Sequence, residues 1–441
     1  MNISFLAPII SIATLSIVYF FLITEKVNKV IVAILGAAFL ILTQIFKMEN
    51  ASSQQVAFHY LANNLDILGF VIGMMLMVGM VWETGIFEAL AIWIVKLVKG
   101  NPFWLLVALS YLTLFMTATL SNIPTILILA PVLLALFKTL KLPALPYLMA
   151  VITMANIGGS MTPISDPTTY YQATTVGLSF MEVLDNSGII VLILSVVSVA
   201  YFLLIFRKQL SAVKVATSSV ASFKPLAAVK NWRMVYISLP ILFGTILLMV
   251  LKEKILLLTG IKLDNASLTF ASAFLMMLLF HQTPKQLFRD IVDWEIIFFF
   301  VGLFIVVGSL EHTGVIENLG HLMVKVTGGN LISLTLLLST GSAIISTFID
   351  NVPYNISMVS AIMAIEKTGI WVYPLWWALN LGTSIGGAGS PIAAACNVIM
   401  FGQAEKDKVH INFAKYLLLS LPLVLLNSLI AFAVIWFRYL R

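Results

Sequence analysis

What most constrains this chain is the recurrence, from end to end, of apolar runs of roughly 20 residues, the length that crosses about 30 Å of hydrocarbon. Residues 4–24, 30–46 and 67–82 are nearly free of charge, and further runs fall at 188–206, 234–251, 264–280, 295–310 and 412–437. Across 441 residues, 61% hydrophobic and 10% charged, with a mean hydropathy of +1.05, too little polar surface remains to cover a water-soluble fold. Lipid is therefore the solvent, and an all-α polytopic membrane protein is expected. The first run lacks a basic leader and is followed at once by a second, so it reads as a retained span rather than a cleaved secretory signal. A single cysteine, Cys396, allows neither an intrachain disulfide nor a thiolate metal cluster.

The net charge of +6 is scattered between the apolar runs, which argues against a nucleic-acid surface and for a role in orientation. Residues 207–233 carry Arg207, Lys208, Lys214, Lys224, Lys230 and Arg233 with no acidic residue, which places this loop in the cytoplasm. Working outward puts 17 of the 25 Lys and Arg on that side and both termini on the other. The host is expected to be a bacterial or archaeal inner membrane.

Self-similarity is present at a fixed offset. Thr84-Gly85 matches Thr313-Gly314, Gly100-Asn101 matches Gly329-Asn330, and Asn122 and Pro124 match Asn351 and Pro353, all 229 positions apart. The offset becomes 228 later, where Gly158-Gly159 meets Gly386-Gly387 and Pro163 meets Pro391. An odd number of crossings separates the copies, so they point opposite ways across the bilayer. Inverted repeats with matched helix breaks form the pattern of a secondary transporter that binds cargo between repeats near the midplane.

The polar interruptions are TATLSNIPTILI (117–128) and ANIGGSMTPISDPTTYY (155–171) in one copy, STFIDNVPYNIS (346–357) and LGTSIGGAGSPIAAACN (381–397) in the other. Proline and paired glycines free backbone groups at membrane depth, tolerable only where they line a cavity or bind something. Small-residue packing between helices is the competing explanation of such glycines. Asp166 and Asp350 are the carboxylates inside the breaks, and an ionisable group there is a functional candidate by default. A carboxyl deprived of water can exchange its proton for a cation. Asn122, Asn156, Asn351 and Asn397 offer amide oxygens, Ser121, Thr125, Thr162, Thr168, Thr169, Thr383 and Ser390 hydroxyls, and Gly158, Gly159, Gly386 and Gly387 exposed backbone. Sodium would sit at Asn122, Asp166, Asp350 and Asn351. Helix N-termini beside them would also suit an anion, so cation, anion and both together stay open. No Lys or Arg falls inside a break. His59, His281, His321 and His410 read as loop residues without metal-ligand spacing. Enzyme signatures such as HExxH, GxSxG, Walker A and GxGxxG are absent, so neither catalysis nor a cofactor is expected.

At NIGGSMTPISDPTTYY and STFIDNVPYNISM, and along almost the whole chain, the sequence resembles the ArsB/NhaD permeases of the ion transporter superfamily, in the branch that includes the melanosomal P-protein. Asp166, Thr168 and Thr169 match the GD-x-TT pattern of the sodium/proton antiporters of that family, and Asn122 and Asn351 its hairpin-tip asparagines. Ser121 stands where many relatives have Asp, and Ser165 where they have Gly. The resemblance implies an elevator-type homodimer with scaffold and transport parts, and sodium or protons as coupling ions. Sodium/proton antiport is the leading expectation, with arsenite-type oxyanion efflux or carboxylate uptake as the alternative, and an uncoupled channel or scaffold protein as the alternative of another class. The expected organisation is scaffold spans at 1–66 and 234–294, the linker 207–233, a first repeat at 67–206 with hairpin 102–140 and broken helix 146–180, and a second at 295–441 with hairpin 330–366 and broken helix 371–402.

Overall fold

The computed structural model describes residues 3–24, 27–48, 51–213 and 224–441; of the orientation residues, Lys26 and Lys214 lie outside this set. Every described element is a helix or turn, with no β-strand. In chain order the main helices are α1 (Ile3–Thr24), α2 (Lys29–Leu42), α3 (Ser53–Ala62), α4 (Leu65–Glu83), α5 (Ile86–Leu97), α6 (Pro102–Leu120), α7 (Asn122–Leu140), α8 (Ala144–Gly158), α9 (Pro167–Val176) and α10 (Phe180–Ile205). After the linker come α11 (Trp232–Thr259), α12 (Asn265–Phe280), α13 (Pro284–Asp290), α14 (Trp294–His312), α15 (Val315–Thr327), α16 (Leu331–Ser346), α17 (Asn351–Glu366), α18 (Tyr373–Gly387), α19 (Ala395–Lys406) and α20 (Phe413–Leu440). Seven of these are long and apolar enough to cross a membrane singly. The protein is a multi-pass membrane protein.

The two halves repeat helix for helix. The starts of α4 and α14, α5 and α15, α6 and α16, α7 and α17, and α8 and α18 each lie 229 positions apart, and those of α9 and α19 lie 228 apart. The order of α1, α2, α3 ahead of α4 recurs as α11, α12, α13 ahead of α14. These outer helices are exchanged between halves: α4 packs on α12, and α14 on α2. The contact is glycine-mediated on both sides. A Cβ on Gly73 would stand 2.6 Å from the Thr269 Cβ, and one on its mate Gly302 would stand 2.6 Å from the Ala33 carbonyl carbon, so the backbones approach as only small residues allow.

Each half also holds a hairpin and a broken helix. Helix α6 runs parallel to α8, because the Tyr147 hydroxyl donates to the Pro102 carbonyl (3.0 Å) at one end while Gly158 packs on Leu114 and Thr117 at the other. The 19-residue arms α6 and α7 therefore enter and leave at one end of the bundle, with their tip at the level where α8 breaks. The second hairpin, α16–α17, pairs with α18 in the same manner through Gly382 and Gly386. It enters from the opposite end. The ends are fixed by Lys138, ion-paired with Asp407 at 3.0 Å, and by Arg438, which donates to the Asp185 carbonyl at 2.7 Å. Two histidines assigned to loops from sequence are helical instead, His59 in α3 and His321 in α15; the Ser52 capping box and the amphipathic run after Gly314 extend helix over them.

Candidate ion-binding site

The second arm of each hairpin packs against the distal half of the other repeat's broken helix, α7 on α19 and α17 on α9. Four helix N-termini thereby converge, those of α7, α9, α17 and α19, each directing partial positive charge inward. Two matched backbone bonds hold the tips: the Asn122 N–H donates to the Ser165 carbonyl (3.0 Å), and the Asn351 N–H to the Ala393 carbonyl (3.2 Å). At the centre is a cavity of about 20 Å³ lined by Asn122, Ile123, Asp166, Pro167, Asp350, Asn351, Val352, Ala394, Ala395 and Cys396, and by Lys29, Ile296, Phe299 and Phe300 of the outer helices. That volume holds one water or one bare monovalent cation, since a single probe sphere needs about 10–15 Å³.

The two carboxylates reach the cavity from non-equivalent places. Asp166 caps α9: its Oδ1 accepts from the Thr168 N–H (2.7 Å) and hydroxyl (2.6 Å), and its Oδ2 accepts from the Asn122 amide. Asp350 caps α17, accepting from the Val352 N–H at 3.0 Å. By the repeat offsets, the mate of Asp350 is Ser121 and the mate of Asp166 is Ala394, so each half contributes one acid. Asp166 is buried with only 2% of its surface exposed, while Asp350 is half-buried and also faces a vestibule of about 290 Å³. Asn28, Lys29, Asp293 and Glu295 line that vestibule too. A second vestibule, about 360 Å³, enters from the Arg438 end past Asp66, Lys252, Glu253, Lys262 and Asp264. Tyr170, on its wall, is stacked on Phe70 at 3.8 Å, and none of its lining residues reaches the central cavity.

The remaining residues singled out from sequence divide into supports and helix contacts. The Thr169 hydroxyl donates to the Gly159 carbonyl (2.7 Å), and the mate of Thr169, Asn397, donates to the Gly387 carbonyl (2.6 Å), so both breaks are clamped alike. Asn156 donates to the Asn397 side chain (2.8 Å), tying one break to the other. Asn397 also donates to the Ser390 carbonyl, Thr162 to Ala118 and Thr125 to Ser121. Thr383 bonds to its own helix through the Leu379 carbonyl. The Ser390 hydroxyl is buried without a partner. Ser121 adopts φ 77°, the left-handed region in which the hairpin turns. Gly158 and Gly386 face neighbouring helices, whereas a Cβ on Gly159 would meet Asp166 and one on Gly387 would meet the Asn156 amide oxygen at 2.5 Å. Ser165, in place of glycine, bonds the Gly159 and Thr162 carbonyls at 2.7 and 2.6 Å.

Three participants were not found from sequence. Asn380 accepts from Thr169 and donates to Ser160 and Ser187. Cys396 lines the cavity. Lys29 brings a cation to a site whose breaks contain none; the signal was a Lys at the first position of a helix, where the dipole disfavours it.

Several known proteins are similar to this chain. A 46 kDa membrane protein of Mycobacterium leprae is 30% identical over 98% of this chain and 99% of the relative. An uncharacterised transporter of Mycobacterium tuberculosis is 28% identical over 96% of each. The P protein of Mus musculus is 24% identical over 95% of this chain and 59% of that longer protein. Among solved structures, the Alcanivorax borkumensis YdaH transporter, whose crystal structure is described as revealing an unusual topology, aligns with a TM-score of 0.51 at 15% identity, covering 87% of this chain and 89% of that one. At that identity the likeness concerns the fold. Residues 19–382 match the family described as citrate transporter, and the chain, a membrane transporter, belongs to the CitMHS citrate transporter family.

Proposed function

We propose that this chain is a secondary active ion transporter that exchanges sodium for protons at the Asp166–Asp350 cavity. The observation that carries the reading is the meeting of these two carboxylates, one from each inverted half, with Asn122 and Asn351 around a space the size of a bare cation. Among the described residues the vestibule beside it favours cations as well, with Asp293, Glu295 and Asp350 against Lys29. A proton or one small cation can each neutralise a carboxylate in a space of this size, so proton and sodium become interchangeable neutralisers. The scaffold spans, 1–66 and 234–294, are α1–α3 and α11–α13; the hairpins and broken helices of the two repeats form the moving part, carried as an elevator in a homodimer as the resemblance implies, and the host is an inner membrane. With residues 207–233 cytoplasmic, the Lys29 vestibule opens inward. No cofactor is involved.

A second reading, uptake of a carboxylate driven by a cation, is favoured by the family match and by the N-termini of α7, α9, α17 and α19, which converge on the cavity and suit an anion. Proteoliposomes separate the two. An imposed sodium gradient should move protons in the opposite direction without any organic anion present. Labelled citrate accumulating on a sodium or proton gradient, with no exchange in its absence, would replace the first reading by the second.

A further inference from the structure

Lys29 is the charged side chain that this exchange scheme leaves unused. The fold does not require it. Helix α12 occupies the equivalent place in the other half and begins with Asn265, each helix being capped by the preceding side chain, Asn28 or Asp264. A cation at the first position of α2 opposes the helix dipole. It is not compensated by a direct ion pair: among the described residues the ion pairs are Lys138–Asp407 and Arg289–Asp290. The Lys29 nitrogen instead lies 5.6 Å from the centroid of the Phe299 ring, and the side chain lines both the vestibule and the central cavity. Four acids face these spaces with it: Asp350 from the second hairpin tip, Asp166 across the central cavity, and Asp293 and Glu295 from the start of α14.

We propose that Lys29 is a tethered counter-ion of the transport site, neutralising Asp350 when the site is empty and opposing the entry of the cargo cation. The ammonium is held on α2 of the outer layer, whereas Asp350 belongs to the hairpin. Two cations sharing one cavity repel, so a sodium ion entering between Asp166 and Asp350 is opposed by the ammonium held over Phe299 beside the vestibule acids. Removing the charge strengthens sodium binding and leaves the empty site with an uncompensated carboxylate.

This inference rests on the cation reading, and its test separates the two. In the full-length detergent-solubilised protein, sodium binding is followed by calorimetric titration. Half-saturation in Lys29→Gln is expected at a sodium concentration about fivefold lower than in the native protein, the size of one partly screened charge interaction. Lys29→Arg should stay within about twofold of native, because the charge is kept. Unchanged or weaker sodium affinity in Lys29→Gln, with sodium binding the native protein, overturns the counter-ion role and leaves the exchange reading standing. No sodium binding by either protein overturns both.

Discussion

Asp166→Asn in reconstituted proteoliposomes should reduce sodium-driven proton movement to the protein-free background while leaving the protein folded. The fold survives because Asn is as good a helix N-cap as Asp, and an amide oxygen can still accept from the Thr168 N–H and hydroxyl, now at 2.7 and 2.6 Å. Any loss of stability should stay within about 1–3 kcal/mol, the cost of leaving the buried Asn122 amide donor without its acceptor. Function is lost because the exchangeable proton and the negative charge vanish together, and because an amide N–H₂ would face the Asn122 amide that now donates to Asp166. The measurement is quenching of an entrapped pH dye after a sodium jump, with size-exclusion elution as the folding control. Undiminished exchange by a well-folded variant would remove Asp166 from the mechanism.

Gly386→Val should prevent accumulation of folded protein. The new Cβ would lie 2.5 Å from the Ala343 carbonyl oxygen and 2.7 Å from the Ser346 Cβ. Helices α16 and α18 would have to part. That loosens the Ser346 hydroxyl bond to the Thr383 carbonyl (3.1 Å) and the second-hairpin tip that presents Asp350. Overpacking of this kind costs about 1–3 kcal/mol, and β-branching adds to the strain. Fluorescence-detected size exclusion should show a lost or aggregated peak, whereas Gly177→Ala, where no neighbour lies within 4 Å, should elute as native despite its φ of 79°. A native profile for Gly386→Val would show that the α16–α18 contact is not tight.

Much of this arrangement was legible in the sequence because a bilayer leaves few alternatives: apolar length gives spans, and a Pro or Gly-Gly break at depth must face protein or cargo. The match of Asn122-x-Pro124 with Asn351-x-Pro353 announced the hairpins, and the structure places both asparagines on one cavity. The exchange of outer helices was not legible, since no local pattern states that Gly302 will seat on Ala33. For the same reason Lys29 was missed: it lies far from any break in sequence and reaches the cavity through the packing of α2 on α14. Gly158 and Gly386 illustrate a different limit. Their composition fits unwinding and close packing equally, and only the neighbours Thr117 and Ala343 identify packing as their task.

Calorimetric titration of the purified protein with sodium, in two buffers of different ionisation enthalpy, tests the central claim most directly. Saturable sodium binding accompanied by proton release, absent in Asp166→Asn, is the predicted result. Binding without proton release, or the same isotherm in Asp166→Asn, would contradict it.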